Sequence, residues 1–73
     1  MTDSIQTLSL RRQEIVLTIR DHKIVSFDFL IRNFRGVPVS TLHYDLLQLQ
    51  KKGFIQKMGS TRGVMYQAVN NRE

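Results

Sequence analysis

Cysteine is absent from this 73-residue chain, which excludes a disulfide framework and a thiolate metal site and fits a reducing compartment. Long apolar runs are also missing. Nothing approaches the roughly 20 residues that a bilayer span requires, and no basic-then-apolar leader opens the chain, so the expectation is a cytoplasmic protein with no membrane partner. Acidic residues are scarce: 6 Asp and Glu stand against 11 Lys and Arg, giving a net charge of +5 and a pI near 10.3. Between Asp45 and Glu73 there is no acid at all, while Lys51, Lys52, Lys57, Arg62 and Arg72 fall in that interval. A positive field concentrated in the C-terminal part favours an acidic partner, with nucleic acid ahead of an anionic membrane. Two histidines without cysteine make a poor metal set, and no nucleophile, base and orienting acid occur at recognisable spacing. Neither an enzyme nor a cofactor is expected.

What is present is an ordinary globular balance, 41% hydrophobic and 23% charged, in a chain long enough for one small domain over residues 1–73. Residues 1–7 and 70–73 read as its loose ends. Between Leu8 and His22 the residues Leu8, Ile15, Val16 and Ile19 share one side of a helix. Ser26 can cap a second helix, "FDFLIRNF", with Asp28 at the positive end of its dipole. Its buried stripe is Phe27, Leu30, Ile31 and Phe34. In "RGVP", Gly36 suits a left-handed helix stop and Pro38 the first turn of a third helix, which runs to about Lys52 and ends at Gly53. "FIQKM" and "VMYQAV" then flank the turn "GSTRG" as a two-stranded hairpin. Phe54, Ile55, Val64, Tyr66 and Val69 are expected to pack it on the helices, and Ile24 and Val25 are candidates for a short extra pairing. The predicted fold is α+β, mainly α: a winged helix-turn-helix, three helices followed by a two-stranded β-hairpin wing.

The third helix has two faces. With Leu42 at the centre of the buried side, Leu46 and Leu49 fall within about 40° of it. Ser40, Tyr44, Leu47 and Lys51 cluster on the opposite side, flanked by His43 and Gln48. Such groups donate and accept hydrogen bonds, as base edges and phosphates in a major groove require. Val39, Ser40, His43 and Tyr44 are the candidates for base contact, with Leu47 able to meet a thymine methyl. Thr41, Lys51 and Lys52 suit phosphates. In the wing, about residues 57–64, Arg62 is placed for the backbone or an adjacent minor groove, with Lys57 in support. Asp45 is expected to be structural, pairing with an arginine or capping a neighbour.

"GVPVSTLHYDLLQLQKKGFI" resembles the helix-turn-helix of bacterial winged-helix regulators, particularly DeoR-type repressors and the similar IclR- and PapI-like groups. The shared skeleton is Gly36 and Val37, Ser40 and Thr41 before Leu42, Asp45 and Leu46, Leu49, and Lys52 to Ile55. The likeness extends back through "VSFDFL" and "RRQEIVLTI", covering roughly residues 11–67. It implies a transcriptional regulator that binds double-stranded DNA and is associated with the nucleoid. The chain departs from that pattern where DeoR-type recognition helices usually carry two arginines and this one has His43 and Tyr44. Arg35 is one extra residue before the turn, and the large effector-binding domain of those repressors has no counterpart after the wing.

Leu10 and Leu17 lie together about 160° or more from the main stripe of the first helix, which suggests a homodimer through that helix. The alternative to DNA binding is a winged-helix protein-interaction module in which Tyr44, Leu47 and Leu17 dock on a larger protein.

Overall fold

The computed structural model describes residues 5–59 and 63–69. A 3-10 turn (Ile5–Thr7) precedes α1 (Leu10–His22), β1 (Ile24–Ser26), α2 (Phe27–Asn33), α3 (Val39–Lys51), β2 (Ile55–Met58) and β3 (Met65–Ala68). Helices one to three fall where the apolar spacing put them, in the order of a winged helix.

α1 starts two residues later than the periodicity suggests, because Ser9 caps it: the Ser9 hydroxyl accepts from the Arg12 amide at 3.3 Å. Leu8 is nonetheless buried, held by its amide bonding to Ile5 O at 2.9 Å. Ile5 itself packs partly on the core, so core material begins earlier than the expected loose end 1–7. α2 is capped as expected, with Ser26 Oγ accepting from the Phe29 amide at 3.0 Å. The left-handed stop expected at Gly36 is not found. The glycines with positive φ are Gly53, Gly59 and Gly63. α2 instead ends through the Phe34 amide, which reaches Leu30 O at 2.9 Å, and a turn closed from the Val37 amide to Phe34 O at 3.0 Å. Those bonds satisfy the helix end without a left-handed residue.

α3 does end on a left-handed glycine. Gly53, at φ 85°, donates to Gln50 O, and Phe54 donates to Leu49 O, both at 3.0 Å. This is the paired-bond Schellman stop. Its consequence is positional: Phe54 turns back into the core beside Leu49, and β2 begins at the next residue.

The sheet has three strands rather than two, in the order β1-β3-β2, all antiparallel. β1 pairs over three residues, with Val25 opposite Tyr66, and on its other side Tyr66 lies opposite Lys57. A hairpin alone would be marginal in water. The third strand and Tyr66, which reaches in beside Phe27 with ring centroids 6.4 Å apart, anchor it. The core joins Ile15, Val16 and Ile19 of α1 to Leu30 of α2, Leu42, Leu46 and Leu49 of α3, and Val25, Phe54, Ile55 and Tyr66 around the sheet. Val64 and Val69, also expected to pack the hairpin, are half-buried.

Only Lys23 separates α1 from β1, and this residue takes φ 72° and ψ −54°. For a residue with a side chain this region costs about 1–3 kcal/mol. The kink is held by its own carbonyl, which accepts from the Ala68 amide at 3.4 Å. Lys23→Gly should relieve the strain against about 0.5–1 kcal/mol of extra unfolded-state entropy. The expected outcome in thermal unfolding is a rise of about 4–8 °C, equivalent to roughly 1 kcal/mol for a domain this small. Gly53→Ala should move the midpoint down by a comparable amount, since its left-handed φ disfavours a Cβ.

Candidate nucleic-acid interface

The 13 residues of α3 divide as their spacing predicts. Leu42, Leu46 and Leu49 are fully buried, whereas Ser40, Tyr44, Leu47 and Lys51 are all exposed. The exposed strip is partly apolar, with Tyr44 at 56%, Leu47 at 42% and Val39 at 51% exposure. Thr41 is half-buried, while His43 and Lys52 are exposed. At the start of the helix Pro38 occupies the capping position and supplies no side-chain acceptor. The first-turn amides of α3 therefore face outward without an intramolecular side-chain partner, and the positive end of the dipole lies beside Val39 and Ser40.

The inner flank of α3 carries one charge, Asp45, which is fully buried. It is met by two consecutive arginines of α1. Arg11 donates from Nε to Oδ2 at 2.5 Å and from Nη2 to Oδ1 at 3.1 Å, and Arg12 donates from Nε to Oδ1 at 2.9 Å. Burial by itself pushes the Asp45 carboxyl up, but the hydrogen bonds and charges of Arg11 and Arg12 outweigh it and hold the group below the usual carboxylate range. The same hydrogen bond to Asp45 holds Arg11 more firmly protonated. Asp45 is thus structural, as expected, and its two arginines leave one surplus positive charge beside the helix.

Arg12 has a second contact. Its guanidinium carbon sits 5.7 Å from the centroid of the Tyr44 ring, in a cation–π arrangement. Tyr44 is therefore exposed on one side and braced on the other by a group itself fixed to Asp45. His43 is braced in a similar way, edge-on to Phe27 of α2 with centroids 5.9 Å apart. The two aromatic candidates for base contact are held by α1 and α2 respectively, while Ser40, Leu47 and Lys51 have no such brace.

Lys57 lies opposite Tyr66 and so shares the sheet face that turns toward the helices, yet it remains exposed. Among the described residues, no ion pair engages Lys51, Lys52 or Lys57. The positions of Ser60, Thr61 and Arg62 lie outside the described residues, so the contact expected of Arg62 is not placed. Leu10 and Leu17 are exposed, at 77% and 48%, on the far side of α1 from Ile15, Val16 and Ile19. Among the described residues no group of His, Cys, Asp and Glu is arranged to hold a metal ion, and no helix is long and apolar enough to cross a membrane.

Sequence reasoning missed the α1 arginines. A signal existed: Arg12 falls on the buried stripe of α1 and Asp45 beside the buried stripe of α3, and inward charges of opposite sign call for each other. No protein-family model, curated protein or solved structure matches this chain.

Asp45→Asn should cost about 3 kcal/mol at neutral pH, the low end of the range for breaking a buried pair, because Arg11 and Arg12 keep some access to water. The sign with pH follows from a folded-state pKa below the unfolded one. The carboxylate's contribution is complete above the unfolded value of about 3.9 and is lost as pH falls through the folded value. Denaturant unfolding from pH 7 down to pH 2 should therefore show the wild-type and Asp45→Asn curves converging at the acid end.

Proposed function

We propose that this chain is a sequence-specific double-stranded DNA-binding transcriptional regulator, with α3 in the major groove and the β2–β3 turn on the backbone or adjacent minor groove. The observation that carries this reading is the outer strip of α3: hydroxyl, imidazole, phenol and ammonium groups stand exposed along one side of a helix whose other side is fixed by three buried leucines and Asp45. A helix in a groove needs that combination of a free polar face and a rigid back. Three further features agree with it. Lys51, Lys52 and Lys57 are exposed with no ion pair among the described residues, the uncapped first turn of α3 can donate to phosphate, and the net charge is +5. The helix and strand order points the same way.

In this arrangement Ser40, His43 and Tyr44 read bases, with Val39 and Leu47 against thymine methyls, while Thr41, Lys51, Lys52, Lys57 and Arg62 hold phosphates. The residues separate by what they do to discrimination. Tyr44→Ala should narrow the gap between cognate and random DNA, whereas Lys51→Ala should weaken all sequences alike and reduce the salt slope by about 1.

The exposed apolar area at Tyr44 and Leu47 favours one other reading, a module that docks on a larger protein. Titration of mixed duplex DNA across a salt series distinguishes the two. A DNA-binding domain with about three to five phosphate contacts gives a log-log slope of about −3 to −5. Negligible binding with no salt dependence would remove the DNA reading in favour of the docking module. Selection from a random duplex pool should then enrich one motif, and the absence of any enrichment would eliminate sequence-specific readout.

A further inference from the structure

The outer face of α1 is the second exposed apolar surface, and its charges are ordered. At about 100° per residue, Leu10 and Leu17 lie within about 20° of each other, opposite Ile15, Val16 and Ile19. Glu14 and Asp21 line one flank of this seam, and Gln13 and Arg20 line the other. Among the described residues, Asp28 is paired with Arg32 and Asp45 with Arg11 and Arg12, so Glu14 and Asp21 are the acids left without an ion pair. Both lie beside the exposed leucines.

We infer that this face binds a second copy of the chain, with the two α1 helices side by side and parallel about a two-fold axis that runs along them. The charge order selects both the occupant and the direction. A parallel two-fold sets the acidic flank of each helix against the other flank of its mate, so Asp21 meets Arg20 of the second copy, while Glu14 faces the uncharged Gln13, whose amide nitrogen donates to Leu8 O of its own chain at 2.9 Å. An antiparallel pair would instead oppose the two acidic flanks, which repel. Seven-residue spacing of Leu10 and Leu17 keeps like residues facing each other along a parallel seam. An α1 seam of 13 residues spans about 20 Å. That is at the small end of specific interfaces, and the +5 charge on each copy opposes association, so the dimer is a weak one.

The inference is independent of DNA, and its test uses the full chain without any. At about 0.15 M salt, where charges are screened beyond about 8 Å, sedimentation equilibrium of the wild type should show a monomer–dimer equilibrium at concentrations up to about 500 µM. Asp21→Arg and Arg20→Glu should each weaken association about tenfold, because each sets like charges face to face. An equimolar mixture of the two variants should restore it, since both pairs are then complementary. The chain contains no cysteine, so Leu10→Cys is a single reporter. In the parallel dimer it should form a disulfide with its own counterpart under mild oxidation, which an antiparallel pair cannot do. All these positions are on the outer face of α1, and circular dichroism should show an unchanged fold. A strictly monomeric wild type at about 500 µM, a mixture no more associated than its components, or a Leu10→Cys chain that does not cross-link would each overturn the inference.

Discussion

One carboxylate sets the relation between the two helices on which the rest of the molecule depends. Asp45 sits fully buried where α3 passes α1, and it takes hydrogen bonds from both Arg11 and Arg12. Leucine contacts alone fix depth better than rotation, because apolar surfaces tolerate sliding. The two-pronged pairing adds direction: a fork of N–H donors meets a carboxylate in a narrow range of geometries. Together with the buried Leu42, Leu46 and Leu49 it sets which side of α3 faces out. A buried ion pair of this kind is weak evidence for stability. Through Arg12 the same pairing reaches the surface, since that guanidinium also faces the Tyr44 ring.

The sheet solves a different problem, that of holding a short hairpin on a small helical body. Its two means are at opposite ends of β2 and β3. At one end the Schellman stop at Gly53 turns the chain and buries Phe54, whose carbonyl then accepts from the Val69 amide at 3.0 Å. At the other, β1 adds a third strand and Phe27 donates from its amide to Val64 O at 3.2 Å, tying the start of α2 to the start of β3. The bases of β2 and β3 are thus tied to α3 and α2 respectively.

The helices were legible in the sequence because their signals are local. Apolar spacing placed α1, α2 and α3, Ser26 marked a cap, Pro38 a start and Gly53 a stop, and each depends only on residues within a turn or two. The same locality explains the failures. Gly36 looked like a left-handed stop because glycine tolerates that conformation, but tolerance is not a requirement, and backbone bonds from Phe34 and Val37 closed the turn without it. The Arg11 and Arg12 partners of Asp45 lie 34 and 33 residues away in the chain, and no period or propensity spans such a distance. β1 was too short to read firmly, since three residues acquire strand geometry only from the neighbour they pair with. Of the candidate interface, the exposed strip of α3 was readable from its wheel, whereas the bracing of Tyr44 and His43 depends on packing with other helices.

The scarcity of acids gains meaning from where they are used. Asp45 is consumed inside the domain and Asp28 by its neighbour Arg32 at 3.3 Å, and Glu14 and Asp21 are on the outer face of α1. None of these four lies on the exposed strip of α3, and the sequence from there to Gln67 contains no other acid. Among the described residues, positive charge is therefore unopposed by an ion pair on the exposed strip of α3 and on β2, while α1 carries a balanced, partly apolar face. Two surfaces of unlike chemistry on different helices need not compete for one partner. On the proposed reading, a polyanion would be drawn to the first by long-range attraction and would meet repelling carboxylates at the second. The segregation of charge thus does as much as the shape of α3 to decide which face a duplex would meet.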